Sequence, residues 1–230
     1  MKNNSWDKYW SDSSNHEWWE RPAPEVVAFI ESQSPESHPA VLDLGCGVGR
    51  HAIAFAKQGF RVTATDASQQ AIDHLQSWTE QLDLSIATHV CGMLEQPFHK
   101  PSFDIVLSYN VIYHGRKSQF AEAIRAVWSL LKPSGLFFFT CPTRKDGKYG
   151  HGECVAPHTY ASTKSVTPGD THYFTDRTEL DEILAGFIVR SVKADEGYWN
   201  NKGEKQFFSN WHVLAEKIEY DSNRPDAGDG

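Results

Sequence analysis

Residues 41–51 read Val-Leu-Asp-Leu-Gly-Cys-Gly-Val-Gly-Arg-His, and this segment is the strongest indication of the fold in the sequence. An apolar run that contains Asp43 ends in Gly45, Gly47 and Gly49, and a helical pattern follows. Glycine adopts positive φ without strain and leaves no Cβ between a turn and a ligand. In open α/β sheets, ligands bind at such turns, beyond the carboxyl ends of the strands. The stretch therefore predicts a strand, a glycine turn and a small-molecule pocket.

The spacing of the glycines bears on the kind of ligand. They occupy every second position, with Arg50 next, whereas the dinucleotide fingerprint G-x-G-x-x-G has its third glycine one residue later. The spacing therefore argues against a pyrophosphate cofactor such as NAD.

Strand and helix patterns alternate along the chain. Strands are predicted near residues 40–44, 61–66, 84–90, 103–109 and 135–141, and helices near 49–58, 69–80 and 117–131. This rhythm is typical of a doubly wound parallel sheet. Two short helices are predicted ahead of it, at 6–11 and 24–32, the second with Pro24 in its first turn. Further on, Thr175 is predicted to cap a helix that Gly186 ends, and 187–194 and 206–216 are predicted strands.

Three later segments carry a family resemblance: residues 61–68 (RVTATDAS), 103–114 (FDIVLSYNVIYH) and 130–135 (LLKPSG). Together with the glycine turn, they resemble the class I S-adenosylmethionine-dependent methyltransferases over roughly residues 38–217. Residues 6–10 (WDKYW) add some likeness to tellurite-resistance and thiopurine or thiol methyltransferases. The resemblance implies an α/β, Rossmann-like, doubly wound sheet of seven strands, mostly parallel with an antiparallel edge strand, in three α/β/α layers.

The resemblance also implies S-adenosylmethionine as cofactor, with S-adenosylhomocysteine as product. Asp66, about twenty residues past the first glycine, matches the acid that accepts both ribose hydroxyls. Asp43 matches the acid that holds the methionine amino group, and capping of the turn is the alternative role. Cys46 is interpreted as a packing residue. The predicted cofactor-binding residues are Trp10, Asp43, Gly45, Cys46, Gly47, Gly49, Arg50, Asp66, Ala67, Met93, Leu94 and Asn110.

One position departs from the family pattern. Gly92 stands where the family usually has an aspartate that accepts a hydrogen bond from the adenine amino group. The backbone of Met93 can still meet the adenine edge, and its side chain can lie on the ring. We therefore expect cofactor binding to persist with one hydrogen bond replaced by water, a loss on the order of 1 kcal/mol.

Aromatic residues crowd the N-terminal segment, namely Trp6, Tyr9, Trp10, Trp18 and Trp19. They predict that residues 1–36 form a helical cover over the ligand pocket, and the alternative is that they only staple a helix to the sheet. Residues 142–174, rich in Gly, Thr, His and Pro, are interpreted as a lid inserted into the methyltransferase domain of residues 37–217.

Methyl transfer needs alignment of two reactants above all, and a general base is optional. His114, after the fourth strand, is the first candidate base and His172 the second; the alternative for His114 is that it only orders its loop. The predicted acceptor-binding residues are Trp19, Tyr113, His114, Tyr149, His151 and Tyr173. His151, Cys154, His158 and His172 are conceivable zinc ligands, but they lack paired metal spacing, so no metal is predicted.

Composition narrows the choice of partners. The 230 residues carry a formal net charge of −8, without a basic run, which argues against nucleic acid. No long apolar run or signal peptide is present, so a cytoplasmic protein off the membrane is predicted, with its four cysteines reduced, as a monomer or homodimer. Residues 218–230 are predicted to be a disordered tail.

The sequence thus predicts methyl transfer to an O, S or N atom of a small molecule. The alternatives are a tRNA or protein methyltransferase, a non-catalytic S-adenosylmethionine-binding protein, and an NAD-type oxidoreductase, against which the glycine spacing counts.

Overall fold

The computed structural model describes residues 5–98, 100–161, 163, 165–167, 169–201 and 203–218. The side chain of Trp18 and, beyond Ile218, the predicted disordered tail lie outside the described part.

A seven-stranded sheet forms the centre of the molecule and confirms the predicted fold class. In chain order its strands are β1 (Ala40–Leu44), β2 (Arg61–Asp66), β3 (Ile86–Val90), β4 (Phe103–Ser108), β5 (Leu131–Pro142), β9 (Phe187–Asn201) and β10 (Glu204–Lys217). Their order across the sheet is β3-β2-β1-β4-β5-β10-β9. The first five are parallel, and β10 runs antiparallel to both β5 and β9. The last two strands are therefore the antiparallel pair expected at the edge.

Helices cover both faces of this sheet. They are α1 (Ser5–Trp10), α2 (His16–Trp19), α3 (Pro24–Glu31), α4 (Arg50–Lys57), α5 (Gln69–Gln81), α6 (Lys117–Leu130) and α7 (Arg177–Ile183). All five residues of β1 are buried, as a strand covered on both faces requires. One apolar core joins the sheet to α6 and α7, and a second joins it to α3, α4 and α5. The result is the expected three-layer arrangement.

A second, smaller sheet was not predicted from the sequence. It is antiparallel and contains β6 (Glu153–Ala156), β7 (Thr159–Ala161) and β8 (Thr171–Tyr173). Backbone bonds tie β8 to the segment after β4: Gly115 N donates to Thr171 O at 2.8 Å, and Tyr173 N donates to Tyr113 O at 2.9 Å. The small sheet is thereby fixed above the carboxyl end of β4.

Two further details differ from the sequence expectations. Asp176, not Thr175, caps α7, because its Oδ1 accepts from Glu179 N at 2.9 Å while the Thr175 hydroxyl donates to the carbonyl of Asp176. Strands β9 and β10 also extend beyond the predicted ranges, since they pair with each other out to Asn201 and Glu204. Among the described helices, none is long and apolar enough to cross a membrane.

Candidate active site

A cavity of about 770 Å³ lies at the carboxyl ends of the central strands. Its volume is within the range of roughly 300–1,000 Å³ that small-molecule pockets occupy. The glycine turn after β1 and the ends of β2 and β4 form one side, α1 and the small sheet contribute others, and the β9–β10 hairpin closes the far wall.

Most of the predicted site residues meet in this cavity. Those that line it are Trp10, Trp19, Gly45, Cys46, Gly47, Arg50, Asp66, Ala67, Met93, Asn110, Tyr113, His114 and His172. The predicted residues outside its lining are Asp43, Gly49, Leu94, Tyr149, His151 and Tyr173.

The glycine turn brings backbone close to the cavity. Gly45 has φ +74° and Gly47 has φ +53°. A Cβ on Gly45 would lie 2.4 Å from Val111, and one on Gly47 would lie 3.1 Å from the Trp10 ring. Gly49 differs from them, because it precedes α4 at φ +95° and a Cβ there would lie 2.2 Å from Leu75. Its role is close packing of the helix, which explains its place behind the cavity wall.

Asp66 ends β2 with both carboxylate oxygens positioned by backbone. Its Oδ2 accepts from Gly47 N at 2.8 Å and its Oδ1 accepts from Ser68 N at 2.9 Å. Burial raises the pKa of Asp66, and these backbone donors oppose that rise. Each oxygen keeps acceptor capacity for a further donor from the cavity, which is what two vicinal hydroxyls need.

Asp43 lies directly beneath the turn and is 1% exposed. Among the described residues, its Oδ2 has no hydrogen-bond partner. Burial raises the pKa of Asp43 to about 7, against the effects of the Ala52 backbone N–H and the Arg50 charge. A buried carboxylate oxygen without a donor costs free energy until a ligand or a water supplies one. Asp66, which lines the cavity, therefore fits the ribose hydroxyls of S-adenosylmethionine, and Asp43, behind the lining, has one oxygen available to a ligand or a water.

Two neighbouring residues have structural roles. Cys46 is buried, and its pKa is raised well above the ordinary value by desolvation and by the nearby Asp66 and Asp43, so the thiol is unreactive. Arg50 lies with its guanidinium 4.8 Å from the centre of the Trp19 ring and 5.3 Å from that of Tyr109. These contacts place Arg50 between the glycine turn and the end of β4.

Beyond the end of β3, Met93 lines the cavity while Leu94 packs against the apolar core under α6. Both side chains pack against this core, and of the two only Met93 also borders the cavity. A Cβ on Gly92 would lie 3.5 Å from Glu95 Oε2 and meets no other close contact, so a side chain fits at this position.

Two histidines lie together at the cavity: His114, after β4, and His172, on β8 of the small sheet. The rings of His114 and His172 are 4.6 Å apart between centroids, and His114 Nε2 lies 3.2 Å from the carbonyl of Asn110. Within the described part of the chain, His114 Nδ1 and both ring nitrogens of His172 have no partner. Burial lowers the pKa of His114 to about 4 and that of His172 further, so both are neutral near pH 7. Neutral imidazoles facing a cavity can accept a proton.

Three of the predicted acceptor-binding residues, Tyr149, His151 and Tyr173, lie outside the cavity lining. Tyr149 instead contacts His158 Nδ1 through its hydroxyl, 2.7 Å away, on the outer side of the small sheet. His151 is exposed, and Tyr173 is fully buried against Phe120. Tyr149 and His151 lie in the turn before β6, and Tyr173 belongs to the apolar core, so composition alone did not show which residues of this segment reach the cavity.

The β9–β10 hairpin supplies the residues that sequence reasoning missed. Asp195, Trp199, Phe208 and Asn210 line the cavity. Their period-two spacing along two strands was the available signal, but the predicted strands end near 194 and begin near 206.

Comparison with known proteins agrees with this geometry. Residues 41–135 match the family described as "Methyltransferase domain". The chain is 34% identical over 198 residues to cypemycin N-terminal methyltransferase from a Streptomyces species, covering 85% of this chain and 75% of that protein. It is 30% identical over 191 residues to the ubiquinone biosynthesis O-methyltransferase of Rickettsia typhi, covering 80% and 75%.

Among solved structures, the N-methyltransferase NodS from Bradyrhizobium japonicum, in complex with S-adenosylhomocysteine, shares the fold with a TM-score of 0.65 and 16% identity, covering 94% of this chain and 97% of that one. The chain belongs to the S-adenosylmethionine-dependent methyltransferases.

Proposed function

We propose that this protein transfers a methyl group from S-adenosylmethionine to an O, S or N atom of a small molecule. The observation that carries the proposal is the pair of carboxylates at the glycine turn: Asp43 with an oxygen that lacks a donor among the described residues, and Asp66 held at the end of β2. In this proposal Asp66 holds the ribose hydroxyls, Asp43 the amino group, and Met93 the adenine edge.

When bound, the cofactor supplies a methyl group on a positively charged sulfur. Trp10, whose ring packs against Gly47, adds an aromatic face to the same compartment, and such a face favours a cation by about 0.5–2 kcal/mol. The residues around the turn therefore bind and orient the donor.

His114 and His172 are proposed to take the proton that an O–H or N–H acceptor loses. Each has a ring nitrogen without a partner among the described residues, and the low pKa of His114 keeps it in the proton-accepting form at physiological pH. General-base catalysis contributes about 10²–10⁴-fold, whereas alignment of the reactants contributes about 7–11 kcal/mol. The histidines therefore assist a reaction whose rate depends mainly on positioning.

Charge, the cavity walls and the cysteines bear on the kind of acceptor and on the cellular compartment. A net charge of −8 and a cavity with α1 and the small sheet in its walls favour a small acceptor over tRNA. The four free cysteines favour a reducing compartment such as the cytoplasm.

A second candidate, methylation of the amino terminus of a peptide, is favoured by the relative named cypemycin N-terminal methyltransferase.

Calorimetric titration of the protein with S-adenosylmethionine, S-adenosylhomocysteine and NAD tests the proposal. We expect micromolar binding of the first two and no heat from NAD. Asp66→Asn should weaken S-adenosylhomocysteine by at least about tenfold, because hydrogen bonds to a charged group are worth about 1.5–3 kcal/mol each. Asp181→Asn, on the exposed side of α7, is the matched control. Binding of NAD alone contradicts the proposal.

A further inference from the structure

The far wall of the cavity carries a cluster of ionisable side chains that the cofactor site does not use. His212 Nε2 on β10 lies 3.8 Å from Glu25 Oε1 on α3 and 3.6 Å from Asp195 Oδ2 on β9. One oxygen or nitrogen from each residue lies within 4.8 Å of the others. Of the three residues, Asp195 lines the cavity, so the cluster reaches the cavity through this carboxylate.

The strand register places aromatic rings next to the Asp195 carboxylate. Asp195 pairs with Asn210 and Gly197 pairs with Phe208, so these residues share one face of the hairpin. Gly197 leaves room for the Phe208 ring, since a Cβ there would lie 2.8 Å from it. Trp199, two residues beyond Gly197, also lines the cavity. A carboxylate next to aromatic faces is the arrangement that recognises an organic cation.

The surrounding charges favour an organic cation over a metal ion. The Tyr109 hydroxyl donates to Glu25 Oε1, which occupies part of that carboxylate, and the Arg50 guanidinium lies over the Tyr109 ring at 5.3 Å. A divalent ion needs several free ligands and one of the three candidates is already engaged, whereas an ammonium group can be held by the Asp195 carboxylate alone. Asp195 keeps a side chain that is 49% exposed, and among the described ion pairs its only partner is His212.

We propose that Asp195, supported by Glu25 and His212, binds a protonated amine of the methyl acceptor, which makes the acceptor an amine-bearing small molecule. This inference rests on the proposed function. A protonated nitrogen has no lone pair to attack a methyl group, so this amine is an anchor. The atom that receives the methyl group is then a different nucleophile of the same molecule.

Three probes that share a phenol ring and differ in side-chain charge test the inference. They are tyramine (cationic), 4-ethylphenol (neutral) and 4-hydroxyphenylacetate (anionic), each titrated into the protein saturated with S-adenosylhomocysteine. We expect tyramine to bind about tenfold more tightly than 4-ethylphenol, and the anion to bind most weakly. Asp195→Asn should abolish the preference for tyramine without changing the affinity for 4-ethylphenol. Asp73→Asn, an exposed acid on α5, is the matched control and should keep the preference.

The outcomes separate this inference from the proposed function. Failure of the wild-type protein to bind S-adenosylhomocysteine contradicts the function itself. A loaded protein that binds the three probes equally, or an Asp195→Asn variant that still prefers tyramine, overturns the amine site alone. Micromolar Mn²⁺ binding that depends on Glu25, Asp195 and His212 overturns it as well, in favour of a metal site.

Discussion

Asp43 is the residue whose ionisation is most directly linked to cofactor binding. Burial raises its pKa to about 7, and a bound amino group would favour the charged carboxylate. Binding should therefore release a proton below pH 7, and the affinity for S-adenosylhomocysteine should rise about tenfold between pH 6 and pH 8. Calorimetry in two buffers of different ionisation enthalpy measures both effects. Asp43→Asn should bind more weakly and lose the pH dependence; a wild-type affinity that is flat with pH would contradict this role.

Single residues could be predicted from sequence where their position is fixed locally. Asp66 and the glycines belong to one strand–turn–helix unit and its neighbouring strand, so spacing along the chain was sufficient to place them. Tyr149 and Tyr173 could not be placed in this way. Tyr149 lies in a turn before β6, and the burial of Tyr173 depends on the pairing of β8 with the segment after β4, a contact between distant parts of the chain.

Helix α1 shows how a short element can be held over the cavity by a few bonds. Asp7 Oδ1 accepts from the Ser68 hydroxyl at 2.7 Å and from Gln70 N at 3.2 Å, and the Ser5 hydroxyl donates to Asp170 Oδ1 at 2.9 Å. A six-residue helix is not stable alone, so these contacts keep it in place. They join the end of β2 to the small sheet and support the proposal that residues 1–36 act as a cover.

Asp7→Ala should loosen this cover without unfolding the sheet. Losing about 1 kcal/mol of hydrogen bonding at the cover should raise the dissociation rate of S-adenosylhomocysteine about fivefold, with little change in the association rate. Stopped-flow tryptophan fluorescence measures both rates. Asp12→Ala, which removes a carboxylate bonded only to Ser14 among the described contacts, is the control. Equal dissociation rates for the two variants would show that the aromatic segment only packs α1 against the sheet and does not cover the ligand.

At the scale of whole elements, the sequence predicted the parallel half of the sheet well and the rest less well. Strands buried on both faces, such as β1 and β4, are mainly apolar runs, interrupted by Asp43 and by Asp104, that are easily recognised. The outer half of the β9–β10 hairpin consists of polar and aromatic residues around a cavity, so its burial pattern is not that of a core strand. The cavity-lining residues of this hairpin were missed for this reason.

Burial keeps several ionisable groups of the folded protein neutral, including groups outside the cofactor site. The pKa values of His51, His114 and His172 are all lowered by burial, that of His114 to about 4. The unfolded chain takes up these protons near pH 6.5, whereas the folded protein does so only at lower pH. Asp43 acts in the opposite sense, since its raised pKa lets the folded state bind a proton that the unfolded state lacks.

Because His74, whose pKa burial also lowers, adds to these three histidines and the four outnumber Asp43 and Asp66, the unfolded state binds more protons between about pH 6.5 and pH 4. The free energy of unfolding should therefore fall with decreasing pH in this window, by about 1.4 kcal/mol per pH unit for each net proton. Urea denaturation at pH 7, 6 and 5 measures the slope. The double variant His114→Gln and His172→Gln removes two of the four histidine contributions and leaves two against Asp43 and Asp66, so its slope should fall to near zero. An unchanged slope would mean that these two imidazoles are already solvated in the folded protein.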